Sequence, residues 1–312
     1  MDTRRQHAYA QYSEKSRQQG IQTLPYIWKN AVSNQQETTH QKFAALVLAA
    51  DRTTNDPITL HTGAACKAFA PVGGTPMIIR VLDSLAASNL VDSIVLCGPP
   101  RSRLDDCPPL KRRIESGEVK WLPNMDTPGR SAEQGLHHLP DDMPVLLTTA
   151  DHALLTPHIV QNFLTESLIT DSDATVGIVT EKQMAASFPG SKRTVFRLRD
   201  GGFCGCNLFT FKPGGRALVT FWQQVEGMRK KPWRLISQIV GPDIVLSYLF
   251  GRLSLEKALN ILAAKSGVRV KTVLLPEARA GIDVDKVEDL LLAESILNKA
   301  PVPFYKRRKP LN

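Results

Sequence analysis

The sequence predicts a three-layer α/β/α protein around a mixed, mostly parallel sheet, and three observations lead there. Short apolar runs recur at Phe43 to Ala50, Asp92 to Gly98 and Pro144 to Ala150. Runs of this length with polar stops are the pattern of strands buried on both faces of a parallel sheet. Each is followed by a loop and then by helical spacing, the order of repeating βα units. Between Thr194 and Phe211 the pattern changes to polar–apolar alternation around Gly201-Gly202, which predicts an antiparallel hairpin. The 312 residues, 42% of them hydrophobic, are enough for one large domain or two small ones.

Residues 1–41 are polar, rich in Gln, Ser and Thr, and read as an extension, disordered or weakly helical. After the first strand comes a long loop carrying Asp51, Arg52 and Lys67. Gly73-Gly74-Thr75-Pro76 then opens a helix to Ala87, with Pro76 at an early position where its missing N–H costs nothing. The loop therefore lies at the carboxyl end of a strand, where open α/β sheets bind ligands. Pro99 and Pro100 stop the second strand; a short helix (Leu110 to Glu115) and a third strand (Val119 to Leu122) follow. Arg130-Ser131-Ala132-Glu133 starts the next helix, with Ser131 of good N-cap identity.

The buried run from Pro144 ends in Asp151, and Thr156-Pro157 opens a helix to about Ile169. A carboxylate at the tip of a buried strand is costly unless it is paired or bound to a cation; otherwise Asp151 caps the following helix. His152 reads as a neutral core or surface histidine. Ala174 to Thr180 is a strand, and the hairpin Thr194 to Leu198 with Phe203 to Phe211 comes next. Helical segments at 216–225, 245–250 and 255–264 make an insert spanning about 213–266, with Trp233 as core filler. A strand, Val268 to Leu275, and a closing helix complete a domain of 42–298, and a short basic tail occupies 299–312.

The formal charge is +9, and Ala186 to Arg234 alone holds ten basic and two acidic residues. That segment is either a solvated basic face or a surface for an anionic substrate. Five cysteines without a paired CxxC suggest neither a disulfide framework nor a zinc site. The first residues lack the apolar stretch of a secretory signal, and no apolar run approaches the ~20 residues of a membrane span, so a cytoplasmic protein is expected. No P-loop is present, which argues against kinases and ATPases of that type. Aromatics are 6% and no helix-turn-helix is evident, so no nucleic-acid partner is expected.

LVLAADR followed by KAFAPVGGTPMI resembles the opening of the MobA-like NTP transferases, nucleotidyltransferases with a Rossmann-like, GT-A-type fold. The family form is LAGG-x-G-x-R-M, a gap, then K-x-L-x-P-x-x-G-x-P-M. Leu48, Ala49 and Ala50 match its start, and Lys67, Pro71, Gly74, Pro76 and Met77 its second half. Asp51 and Arg52 stand where the family places glycines. GRSAEQGL, TTADHALLTP, Gly205-x-Asn207 and IDVDKVEDLLLAE resemble later motifs, in the right order over about 43–298.

The resemblance implies transfer of a nucleoside monophosphate from an NTP (CTP, GTP or UTP) to a phosphorylated sugar or polyol, releasing pyrophosphate. It implies nucleotide contacts at Leu48, Ala49, Ala50, Asp51, Lys67 and Ser131, and catalytic work by Lys67, Arg52 and Asp151. It implies Mg²⁺ on Asp151 with either Asp283 or Asp285, the latter preferred, each carboxylate coming from its own strand. Asp289 is a helix-start residue suited to the dipole. The hairpin would face the acceptor through Lys192, Arg193, Gly205 and Asn207. Two alternatives stand beside this reading. A glycosyltransferase of the same fold would usually show an internal D-x-D, found here only near the C-terminus. A non-catalytic nucleotide-binding protein is left open by the altered glycine loop.

Overall fold

β1 (Phe43–Leu48) is buried at every position and anchors two cores at once. Its alternate side chains divide: Ala44, Leu46 and Leu48 join one apolar cluster, while Phe43, Ala45 and Val47 join the other. The computed structural model describes residues 41–49, 56–228 and 241–298. The expectations for residues 1–40, for Ala50, Asp51 and Arg52, for Trp233 and its basic neighbours, and for 299–312 lie outside these residues.

The chain continues through α1 (Pro57–Thr62), a 3₁₀ turn at Lys67–Phe69, and a small ribbon of β2 (Pro71–Val72) and β3 (Thr75–Pro76). α2 (Met77–Ala86), β4 (Val91–Cys97), α3 (Pro108–Glu115), β5 (Val119–Leu122) and α4 (Pro128–Leu136) follow. Next are β6 (Val145–Thr149), α5 (Pro157–Ile169), β7 (Ala174–Thr180) and α6 (Glu181–Ser187). β8 (Phe196–Leu198) and β9 (Gly201–Phe211) form the hairpin. α7 (Ala217–Met228), α8 (Pro242–Leu249), α9 (Leu255–Ser266), β10 (Val270–Leu274) and α10 (Val287–Leu297) close the described chain.

Three local expectations are corrected. The helix after the Gly-Gly turn starts at Met77, because Pro76 is extended (ψ 136) and pairs with Pro71 in the ribbon. Ser131 is not the cap of α4: Thr127 is, its side chain accepting from Arg130 N, with Pro128 in the first turn. The hairpin turn falls at Arg199-Asp200, two residues earlier than Gly201-Gly202, since β9 already begins at Gly201. Thr156 and Pro157 cap α5 as read from the sequence.

The main sheet has the order β10-β7-β9-β6-β1-β4-β5, with β8 added on β9. β1 pairs in parallel with β4 and β6, β4 with β5, and β10 with β7. β9 runs antiparallel to both β6 and β7, so the sheet is mixed but mostly parallel. The chain leaves β1 on one side toward β4 and β5, then returns on the other side as β6. That reversal is a topological switch point, which in open α/β sheets is where a ligand crevice forms beyond the strand ends.

α2, α5 and α10 cover the face of Phe43 and Val47, where Phe43 and Phe163 are fully buried. Each such aromatic contributes roughly 1.5–3 kcal/mol of apolar transfer. α4, α7 and α9 lie on the other face. There Gly135 of α4 sits directly on Leu46, leaving no space for a Cβ.

Candidate active site

The ends of β1 and β6 bring together side chains far apart in the sequence. Asp151 stands two residues beyond β6. Its Oδ1 accepts from Thr149 Oγ1 at 2.6 Å, and its Oδ2 from Lys67 Nζ at 2.8 Å. Lys67, from the 3₁₀ turn, also donates to Asp285 Oδ1 at 2.6 Å. Val284 N donates to Asp151 O at 3.0 Å, lacing the two acidic loops together. Asp289, in the first turn of α10, accepts from Asp285 N and Lys286 N, both at 3.1 Å. A carboxylate at a helix N-terminus is favoured by the dipole, and here it also fixes the loop that carries Asp285.

Asp283 turns away from Lys67. Arg193 Nη1 donates to its backbone oxygen at 2.8 Å and to Oδ1 at 2.6 Å, and Asn207 Nδ2 donates to Oδ2 at 3.0 Å. Arg193 Nη2 also lies 3.1 Å from Asp289 Oδ1, and the arginine side chain is only 8% exposed. Arg193 therefore holds Asp283 and Asp289. Lys192 and Gly205 are exposed and do not line the cavity described below; Asn207 does. Neither Asp283 nor Asp285 comes from a strand, another correction: both lie in the loop between the 3₁₀ turn Ala278–Gly281 and α10.

Asn207 owes its direction to a bulge. The register of β9 against β7 shifts between the Val176–Phe209 and Ile178–Gly205 pairs, and Asn207 takes a left-handed φ of 49. A non-glycine residue there is uncommon, and bulges re-aim side chains beside active sites. β6 stops pairing with β9 at Phe209, so the two strands part just where Asn207 faces the Asp283 loop.

Burial alone would push the Lys67 ammonium down, but Asp151 and Asp285 outweigh it and raise its pKa, keeping it charged. Asp283 is pushed above the usual carboxylate range by burial first, then by Asp151 and Asp285, against the pull of Arg193. His152 is fully buried and pushed down to about 4, chiefly by burial, so it is neutral near pH 7.

A cavity of about 800 Å³ opens at this point. Leu48, Ala49, Ser131, Thr149 and Asp151 line one end together with Lys67, Asp283 and Asp285. Ser131 is buried and its Oγ accepts from Met125 N at 2.9 Å, tying the preceding loop to α4. Thr149, Phe209, Phe211 and Trp222 also line the cavity and were not singled out from the sequence. The alternation Asn207, Phe209, Phe211 along β9 was the available signal.

Among the described residues no group of three or more His, Cys, Asp or Glu is arranged to hold a metal. Asp151 and Asp285 nevertheless converge on one cation, the Lys67 ammonium. Two carboxylates fit Mg²⁺, a hard ion that keeps waters and phosphate oxygens in its remaining positions.

Residues 45–269 match the family model of the MobA-like NTP transferase domain. The chain belongs to the MobA-like NTP transferase family. This transferase chain is 30% identical to a hypothetical transferase of Thermus thermophilus, over 80% of this chain and 100% of that one, with a TM-score of 0.67. CMP:2-keto-3-deoxy-manno-octonic acid synthetase, solved with CTP, is 12% identical, covers 83% of this chain and 99% of its own, and shares the fold at a TM-score of 0.52. The 4-diphosphocytidyl-2C-methyl-D-erythritol synthase of Anaerococcus prevotii is 17% identical over 82% and 99% of the two chains, with a TM-score of 0.48. No curated protein matches the sequence.

Proposed function

We propose that this MobA-like NTP transferase moves a nucleoside monophosphate from an NTP to a phosphate monoester and releases pyrophosphate. The observation that carries the reading is the grip of Asp151 and Asp285 on Lys67 at the switch point of the sheet. An oxygen of the acceptor phosphate attacks the α-phosphorus. The bond from the α-phosphorus to the bridging oxygen breaks, and pyrophosphate leaves with that electron pair. A phosphate dianion has no proton to remove, so positioning and charge neutralisation are the work left to the protein.

Asp151 and Asp285 would hold Mg²⁺, which when bound neutralises charge on the phosphate oxygens. Lys67 supplies a compact cation to the triphosphate, and Arg52, from its place in the motif, is proposed for the same phosphates. Leu48, Ala49 and Ser131 border the nucleoside end, and Asn207 and Asp283 the acceptor side.

The test is a pyrophosphate-release screen of four NTPs with Mg²⁺ against phosphate monoesters, run beside Asp151→Ala. CTP is tried first, since the synthetase of the same fold was solved with it. Release with one NTP and a loss of several orders of magnitude in the variant are expected. No release from any pair, or full activity in the variant, sinks the reading.

A further inference from the structure

The acidic end does not account for the rest of the cavity. Beyond Asn207, the same face of β9 presents Phe209 and Phe211, while Leu208 and Thr210 point into the opposite core. Across the void, α7 turns Leu218, Trp222 and Val225 toward them, four and then three residues apart, so on one helical stripe. Phe209, Leu218, Trp222 and Val225 are half-buried: they border open volume instead of closing it. Lys67 is the one basic side chain among the described residues that line the cavity, and it lies at the far, acidic end. Glu226, at the α7 wall, already accepts from Gly129 N at 3.0 Å.

A sugar or polyol placed along Phe209, Phe211, Leu218, Trp222 and Val225 would lose hydration without gaining hydrogen bonds from these side chains. Small-molecule sites of roughly 300–1,000 Å³ are mostly apolar, with a few polar groups fixing one end of the ligand. Building on the nucleotidyl-transfer reading, we infer that the acceptor is the phosphate monoester of an apolar alcohol. Its phosphate faces the Asp151–Lys67–Asp285 end, and its hydrocarbon body lies between Phe209 and Trp222. The nucleoside, whose base edges need donors and acceptors, stays beside Ser131 at that same polar end.

The protein with Mg²⁺ is titrated calorimetrically with alkyl phosphates from ethyl to octyl, below their aggregation concentrations, and with glycerol 3-phosphate. NTP binding and pyrophosphate release are measured in parallel. Affinity should rise about fourfold per methylene, the counterpart of about 0.8 kcal/mol. Trp222→Ala should weaken octyl phosphate roughly tenfold or more while leaving ethyl phosphate and NTP affinities in place. Trp222→Phe, which keeps most of the wall, should show an intermediate loss and serves if the alanine variant does not fold.

A flat series, or glycerol 3-phosphate binding as tightly as octyl phosphate, overturns the inference. If that happens while an NTP still yields pyrophosphate with glycerol 3-phosphate, the transfer reaction stands and only the apolar acceptor falls. Chain-length-dependent binding without NTP binding or pyrophosphate keeps the apolar phosphate site and removes the reaction.

Discussion

Lys67 holds two carboxylates that stand far apart in the chain, Asp151 and Asp285, and its loss removes the cation they share. Lys67→Ala is expected to weaken triphosphate binding more than monophosphate binding, besides cutting turnover; equal losses in a titration would remove it from the β and γ phosphates. Arg193 carries a different load. It is buried between Asp283 and Asp289, and removing one partner of a buried ion pair typically costs about 3–5 kcal/mol. Arg193→Ala should therefore lower the urea midpoint strongly, and Arg193→Ala with Asp283→Asn should recover part of the loss. If the single variant is as stable as the parent, Arg193 does not hold the acidic loop. At Asn207, glycine would keep the left-handed backbone and lose only the bond to Asp283, so Asn207→Gly should cost turnover with little loss of stability. Asn207→Val should cost both, as denaturation and kinetics on the pair would show.

The α4–β1 contact depends on the absence of a side chain. A Cβ on Gly135 would run into the side chain of Leu46, which is fully buried. Gly135→Val is expected to cost about 1–3 kcal/mol by overpacking, read as a shift of the denaturation midpoint. At this scale much was legible. The buried runs gave β1, β4 and β6, and Thr156-Pro157 gave the start of α5, because those signals are local. Thr127-Pro128 is the same signal, and Ser131 has the right chemistry four residues too late. The bulge at Asn207 has no local signature, since it arises from how two strands of unequal path meet. The pairing of Arg193 has no local signature either: a basic residue beside a glycine-rich hairpin shows its carboxylate partner only once the acidic loop closes on it.

Over the whole molecule, basic side chains among the described residues of the Ala186 to Arg234 segment enter separate local pairings. Arg197 meets Glu181, Arg216 meets Asp141, and Lys212 donates to the Thr170 carbonyl at 3.0 Å. Composition showed the charge, but only the fold could show where these three side chains find partners. The site itself was legible where motif residues face the switch point, as Lys67, Asp151 and Asp285 do, and illegible where apolar side chains line the void. Because Lys67 already bridges the two carboxylates, a chelator should abolish pyrophosphate release yet leave the thermal unfolding midpoint of the ligand-free protein nearly unchanged. A large drop in that midpoint would mean that the acidic loops need the metal to fold. The place of β9, between β6 and β7 and antiparallel to both, also bears on how the chain assembles. β1, β4, β5 and β6 can pair as soon as each is available, but β7 and β10 reach the sheet only once β9 has doubled back. Pairings distant in sequence form slowly. Pulse-labelled hydrogen exchange should therefore find the amides of β1 and β4 protected before those of β7 and β10, with the Asp283–Asp285 loop ordered last.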